Sequence, residues 1–249
     1  MKVRRRLQQR RLRKLLKMNK EFEIIDFHSH ILPCADHGSD GIETTKKQIA
    51  LMNNAGVDTV VLTPHFYPNF HTVDTFHETV DASLRVLTSS IEDRPRVCVG
   101  AEVLYYDGIE RMEGLETLCI KGTNILMLEL PMMEWSKKMI NEIKRLAGEY
   151  TLLLAHVDRY VVDHKLEIAT LLSAGAYAQI NSSSMFHRSI RRELMSFIDG
   201  GQIYAIGSDI HGTGKKSYAR FVKAERRLGE RYAIIMESAS KLLENAERF

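Results

Sequence analysis

The chain has three cysteines, five prolines and one tryptophan in 249 residues, and each scarcity excludes something. Cys34, Cys98 and Cys119 are odd in number and scattered, so they offer no disulfide framework and point to a reducing compartment, the cytoplasm. Five prolines leave no room for a proline-rich linker, and no internal repeat is visible. No stretch approaches the ~18 consecutive apolar residues of a membrane span. Acidic residues are missing from positions 1–20, where ten of the 35 Lys and Arg fall. No apolar run of ~7 residues follows these charges, so the segment does not read as a secretory signal. The whole chain carries +3, which leaves the remainder at −7. Residues 1–20 therefore read as a basic arm on an acidic domain spanning 21–249. The arm could touch an anionic membrane, at ~1 kcal/mol per basic residue near its surface. The acidic body speaks against a nucleic-acid partner.

What the chain does have is a recurring arrangement of strands and ligand-type residues. Phe22, Ile24, Ile25 and Phe27 make a strand that opens into His28-Ser29-His30. Residues two apart in a strand share a face, so His28 and His30 can meet one ion together. Val60-Val61-Leu62-Thr63-Pro64 leads to His65, Val97–Ala101 to Glu102, and Ile125–Leu128 to Glu129. Leu152–Ala155 leads to His156, and Ile203–Ser208 to Asp209 and His211. Intervening segments such as Gly41–Ala55 and Trp135–Gly148 are long enough for helices. Strand–helix alternation implies parallel strands, and in a parallel barrel the strand C-termini gather on one face. One histidine in a loop is commonly a surface residue. Six strand ends bearing His, Asp or Glu are not scatter. A length of 249 residues with 44% hydrophobic residues suits a single α/β barrel domain.

The motifs His28-Ser29-His30-Ile31-Leu32-Pro33, Thr63-Pro64-His65, Gly100-Ala101-Glu102 and Leu128-Glu129-Leu130-Pro131 look like successive motifs of a known superfamily. Ala155-His156-Val157-Asp158-Arg159-Tyr160 and Ser208-Asp209-Ile210-His211 complete the series. Together they resemble the PHP (polymerase and histidinol phosphatase) superfamily. Within it they are most similar to the bacterial manganese-dependent tyrosine phosphatases of capsule and exopolysaccharide operons. The likeness runs from about Glu23 to the C-terminus. Relatives of this kind usually begin near Met18, which lies just before the first strand.

The resemblance implies a distorted (β/α) barrel of PHP type, with seven parallel strands expected and the metals at their C-terminal ends. It implies three divalent ions, manganese foremost, with iron or zinc as alternatives. His28, His30 and Asp209 would hold the first, Glu102 would bridge to the second, and Glu129 and His156 would complete that one. His65 and His211 belong to the third. Relatives have two aspartates before the glycine that follows His-x-His, the second being a ligand. Here Asp36-His37-Gly38 puts His37 at that position, with Asp36 as the alternative. Arg159 would neutralise phosphoryl oxygens during attack by an activated water, and Lys215 and Lys216 lie beside His211. A cysteinyl route is excluded, because the residues six beyond each cysteine are Asp40, Leu104 and Ile125, none an arginine. By resemblance the substrate is protein phosphotyrosine on a kinase tail that governs polysaccharide export. A small-molecule phosphatase of histidinol-phosphate type and a metal-dependent phosphodiesterase are the alternatives.

Overall fold

The computed structural model describes residues 22–213 and 215–245. The expected arm at 1–20, with Met18, lies outside the described residues. The described chain is an α/β fold built on parallel sheets. Its strands are β1 (Ile25–Ser29), β2 (Thr59–Leu62), β3 (His65–Phe66), β4 (Arg96–Val99), β5 (Glu102–Leu104), β6 (Ile125–Glu129), β7 (Thr151–Leu154), β8 (Tyr177–Asn181) and β9 (Ile203–Gly207). They pair in two sheets, β1-β2-β4 and β3-β5-β6-β7-β8-β9, and every pairing is parallel.

The nine strands exceed the seven expected, for a local reason. β2 and β3 are separated only by Thr63-Pro64, and β4 and β5 only by Gly100-Ala101. Pro64 has no N–H to give to a ladder. Bonds from Gly100 N to Leu62 O (2.9 Å) and from Glu102 N to Pro64 O (3.0 Å) carry the pairing across the break. The nine strands thus follow seven chain paths. The sixth path, β8, ends in Asn181 and so escaped a search for acidic or imidazole strand ends.

Among the described residues there are seven α-helices, five between strands and two after β9: α1 (Ile42–Ala55), α2 (Val73–Ser90), α3 (Lys137–Glu149), α4 (Lys165–Ser173), α5 (Arg188–Asp199), α6 (Lys215–Leu228) and α7 (Glu230–Asn245). Local chemistry sets their ends. Thr72 and Thr75 form a capping box at the start of α2, and the Ser136 hydroxyl accepts from Met139 N at the start of α3. α1 stops at Gly56, whose φ of 73° is the left-handed conformation glycine adopts at little cost. Between β5 and β6 only short 3-10 turns intervene, at Ile109–Arg111 and Leu115–Leu118. Strands such as Ile125-Leu126-Met127-Leu128 and Leu152-Leu153-Leu154 are buried throughout. They read as unbroken apolar runs because a parallel strand is covered on both faces. No helix among the described residues is long and apolar enough to cross a membrane.

β1 and β9 come together where the site is built. Asp209 N donates to His28 O (2.9 Å) and His30 N to Ile210 O (3.3 Å). Below them, the fully buried Asp26 accepts from Ser208 N (2.7 Å) and from the Tyr218 hydroxyl, which fastens α6 to β1. Gly207 permits this approach: a Cβ there would lie 2.3 Å from His28 Cβ and 2.8 Å from Gln179 Nε2. Both neighbours are held by other contacts, so neither can yield freely. Gly207→Ala is therefore expected to cost about 1–3 kcal/mol in urea unfolding, the usual penalty of overpacking. An unchanged midpoint would mean that β1 and β9 are not in register as described.

Candidate metal centre

Glu102 opens β5 and is wholly buried, with four imidazoles around its carboxylate. Its Oε2 lies 3.1 Å from His28 Nε2, 3.2 Å from His30 Nε2 and 3.1 Å from His65 Nδ1, and its Oε1 lies 2.6 Å from His156 Nε2. Glu129, at the end of β6, comes within 3.6 Å of His156 Nε2 and 3.9 Å of His65 Nδ1. Asp209 Oδ1 stands 3.5 Å from His30 Nε2, 3.8 Å from His28 Nε2 and 3.4 Å from His211 Nδ1. Eight of the nine candidate ligands thus converge from six strand ends onto one cluster.

The donor atoms fall into four overlapping groups, with ligand atoms within 4.8 Å of one another: His28–His30–Asp209, His28–Glu102–His156, His65–Glu102–Glu129 and His30–His65–His211. His37 belongs to none of them. It is exposed, and its ring stacks on those of His65 (4.8 Å) and His211 (4.6 Å). The alternative, Asp36, is turned inward. Its Oδ2 meets His30 Nδ1 at 2.7 Å and accepts from His65 N (3.1 Å), while Oδ1 accepts from Gly38 N (2.8 Å). Asp36 thus orients His30 and leaves Nε2 to face the cluster, as carboxylates behind ligating histidines commonly do.

Two further residues behind the cluster carry no charge and gave no sequence signal. Gln179 Oε1 accepts from His156 N (2.6 Å) and faces His28 Nδ1 (3.2 Å), which fixes the tautomer that leaves His28 Nε2 free. Asn181 Nδ2 donates to Asp209 Oδ2 (2.8 Å). Both lie on β8, two residues apart and hence on one face. His156 and Asp209 have φ of 31° and 49°, a conformation that costs non-glycine residues energy and concentrates at functional sites. Arg159, 37% exposed at the mouth, spans Glu129 (3.0 Å) and Asp209 (2.7 Å). Lys216 is exposed in the first turn of α6, and Gly214 lies outside the described residues.

The electrostatics are those of a site shaped for cations. Burial opposes a charge on His30, but Asp36 and Glu102 outweigh it and lift its pKa to about 10. Burial pushes His65 down to about 3, and it lowers His156 and His211 as well. Burial and the Glu102 charge raise Glu129 to about 7. Glu102 and Asp209 resist their own burial and stay well below the carboxylate range, held by His28 and its neighbours. Buried polar atoms are nearly always paired. Here Asp209 Oδ1, His65 Nδ1, His156 Nδ1 and His211 Nε2 are buried without a hydrogen-bond partner, all in this one cluster. Imidazole and carboxylate donors in this number fit divalent ions of the manganese, iron or zinc type.

The profile of the capsular polysaccharide synthesis family CpsB/CapC matches residues 24–246. The chain belongs to that family. It is 24% identical over 201 residues to the tyrosine-protein phosphatase CpsB of Streptococcus pneumoniae, covering 76% of this chain and 83% of the relative. The CpsB of Streptococcus agalactiae is 23% identical over 203 residues, with the same shares. A solved structure from work on YwqE of Bacillus subtilis and CpsB of Streptococcus pneumoniae, described as metal-dependent tyrosine phosphatases, superposes with a TM-score of 0.72. It is 21% identical and covers 91% of this chain and 96% of that one. Histidinol phosphate phosphatase of Lactococcus lactis, solved with zinc, L-histidinol and phosphate, gives a TM-score of 0.54 at 10% identity, over 83% and 94%.

Divalent ions at this site would compete with protons for these donors. Glu129 must lose a proton near pH 7, and His30 must lose one that it holds up to about 10. Both pKa values are raised in the metal-free protein, so binding weakens as pH falls. Calorimetric Mn2+ affinity is expected to rise from pH 6 to pH 8 with proton release. A constant affinity without proton release would contradict this assignment.

Proposed function

We propose that this CpsB/CapC-family protein is a metal-dependent phosphatase that hydrolyses phosphotyrosine in proteins, in the cytoplasm. The observation that carries the reading is the buried Glu102 carboxylate among four imidazoles, with Glu129 and Asp209 beside it. The relatives named as tyrosine-protein phosphatases support the same substrate class. Cys119 is buried, and burial pushes its thiol pKa up to about 12, which disfavours a thiolate there and agrees with a non-cysteine mechanism. The two sheets, drawn together at β1 and β9, support a distorted seven-path barrel whose strand C-termini frame the centre.

Three divalent ions, manganese foremost, would be held as follows. His28, His30 and Asp209 would hold one, and Glu102, Glu129 and His156 another, with Glu102 available to both. His65 and His211 would hold the third together with His37, whose exposed ring lies 4.8 and 4.6 Å from theirs but outside the donor groups. When bound, such ions supply charge neutralisation and lower the pKa of water towards ~7. Gln179 and Asp36 keep the imidazoles of His28 and His30 aimed inward. Arg159 lies at the mouth, where its fork of donors suits two phosphoryl oxygens. Burial excludes bulk water and strengthens each of these charges. The target would be the phosphotyrosine tail of a kinase governing polysaccharide export, and residues 1–20 a separate basic arm able to meet an anionic membrane.

Turnover of phosphotyrosine peptide, histidinol phosphate and a phosphodiester by the Mn2+-loaded protein tests the assignment. The peptide should be preferred, EDTA should abolish activity, and changing Cys34, Cys98 and Cys119 together to Ser should leave at least about half of it, since no thiol takes part. Activity that survives EDTA and vanishes in the cysteine variant would overturn the mechanism. His37→Ala is expected to remove about one ion per chain and cut kcat at least tenfold. Unchanged metal content would leave the third ion to His30, His65 and His211.

A further inference from the structure

Half of the large, exposed apolar side chains among the described residues stand on three loops that leave the metal centre. Phe70 is 83% exposed and follows His65, Met132 (77%) and Met133 (68%) follow Glu129, and Val162 (57%) follows His156 and Arg159. Each loop is rooted in a candidate ligand, and two of the roots, His65 Nδ1 and Glu129 Oε2, lie 3.9 Å apart. The loops are also braced. The Tyr67 ring stacks on His65 at 4.9 Å and meets Phe70 edge-on at 6.5 Å. Trp135 packs on Tyr160 (5.4 Å) and His164 (4.2 Å), joining the loop after β6 to the loop after β7, and its Nε1 donates to Pro131 O (3.0 Å). Exposure climbs from 6% at His65 to 83% at Phe70 within six residues.

Exposed apolar groups gathered around an opening mark an interaction surface. Two occupants have the right chemistry, a polypeptide and a lipid surface. Asp74, Glu134 and Asp163 are exposed within four residues, in sequence, of Phe70, Met133 and Val162. These carboxylates repel an anionic bilayer and attract cationic side chains. The donors at the roots of these loops are buried, His65 at 6% and Glu102 and His156 at 0% exposure, so a phosphate carried on a projecting side chain is suited to reach them. We propose that this rim docks the polypeptide around a phosphotyrosine, taking apolar side chains next to the modified residue and basic ones further out. The proposal rests on the phosphatase reading above. It assigns Phe70, Met132 and Met133 a part in choosing among phosphotyrosine sequences.

The test uses the Mn2+-loaded full chain and three short phosphotyrosine peptides with Leu/Val, Gly or Glu flanks. The wild type should favour the Leu/Val peptide over the Gly peptide about tenfold in kcat/KM, and disfavour the Glu peptide, a ratio that two or three apolar contacts supply. In the triple variant Phe70→Ser, Met132→Ser, Met133→Ser the Leu/Val to Gly ratio should fall to within about twofold. Phe70→Ser alone, at a surface position, should lower it in part and serves if the triple variant melts early. A wild type without sequence preference, or a preference that survives all three changes, overturns the proposal and leaves the phosphatase reading standing. Failure to hydrolyse any of the three peptides overturns both. Sedimentation of the wild type but not the variant with phosphatidylcholine/phosphatidylglycerol vesicles would give the rim to a lipid surface and overturn the peptide assignment.

Discussion

A carboxylate buried to 0% exposure among four imidazoles is the constraint from which the rest of this structure follows. Burying a charge is costly unless it is paired, and Glu102 is paired on both oxygens. The imidazoles come from three other chain paths, so the pairing can form only when β1, the start of β3 and the end of β7 arrive at one point. The parallel arrangement does this, because it sends every strand C-terminus to the same face. A site assembled this way is rigid where its ligands sit and free to vary in the loops beyond them. The apolar rim occupies those loops.

The second ring of residues shows how that rigidity is obtained. Gln179 and Asp36 each take one nitrogen of a histidine and so decide which nitrogen faces the cluster. Asn181 does the same for one oxygen of Asp209. The strained backbone at His156 and Asp209 is retained because tertiary contacts over-determine it: His156 N is bonded to Gln179 and Asp209 N to His28 O. Gly38 and Gly207 leave the space in which His30 and His28 are set, since a Cβ at either would lie within 2.5 Å of a histidine Cβ. Stability and site geometry are therefore the same set of contacts here.

Much of this was legible in the sequence because the ligand types are few and each follows an apolar strand. The strand ends at His28, His65, Glu102, Glu129, His156 and Asp209 were readable from residue type and spacing alone. The helices at Ile42–Ala55 and Lys137–Glu149 fell close to their expected bounds. Three things were not legible. Gln179 and Asn181 are neutral amides on a strand with no acidic or imidazole end, and amides are too common to stand out. The division of two strand paths at Pro64 and Gly100 depends on pairing across a kink, which periodicity does not report. The relation between Asp36 and His37 is decided by which way a short loop turns. Asp36 faces inward to His30, and His37 lies exposed against His65 and His211.

Membership of the CpsB/CapC family and the clustered donors together make the Glu102 carboxylate the residue on which the proposed metal centre depends. Removing its charge while keeping its size isolates that role, so metal content of Glu102→Gln, measured beside the wild type on folded protein of matched circular dichroism, is the most direct measurement. About three ions per chain are expected in the wild type and about one in the variant, because two ions that would share Glu102 would lose their common anionic ligand. Equal metal content in the two proteins would contradict it.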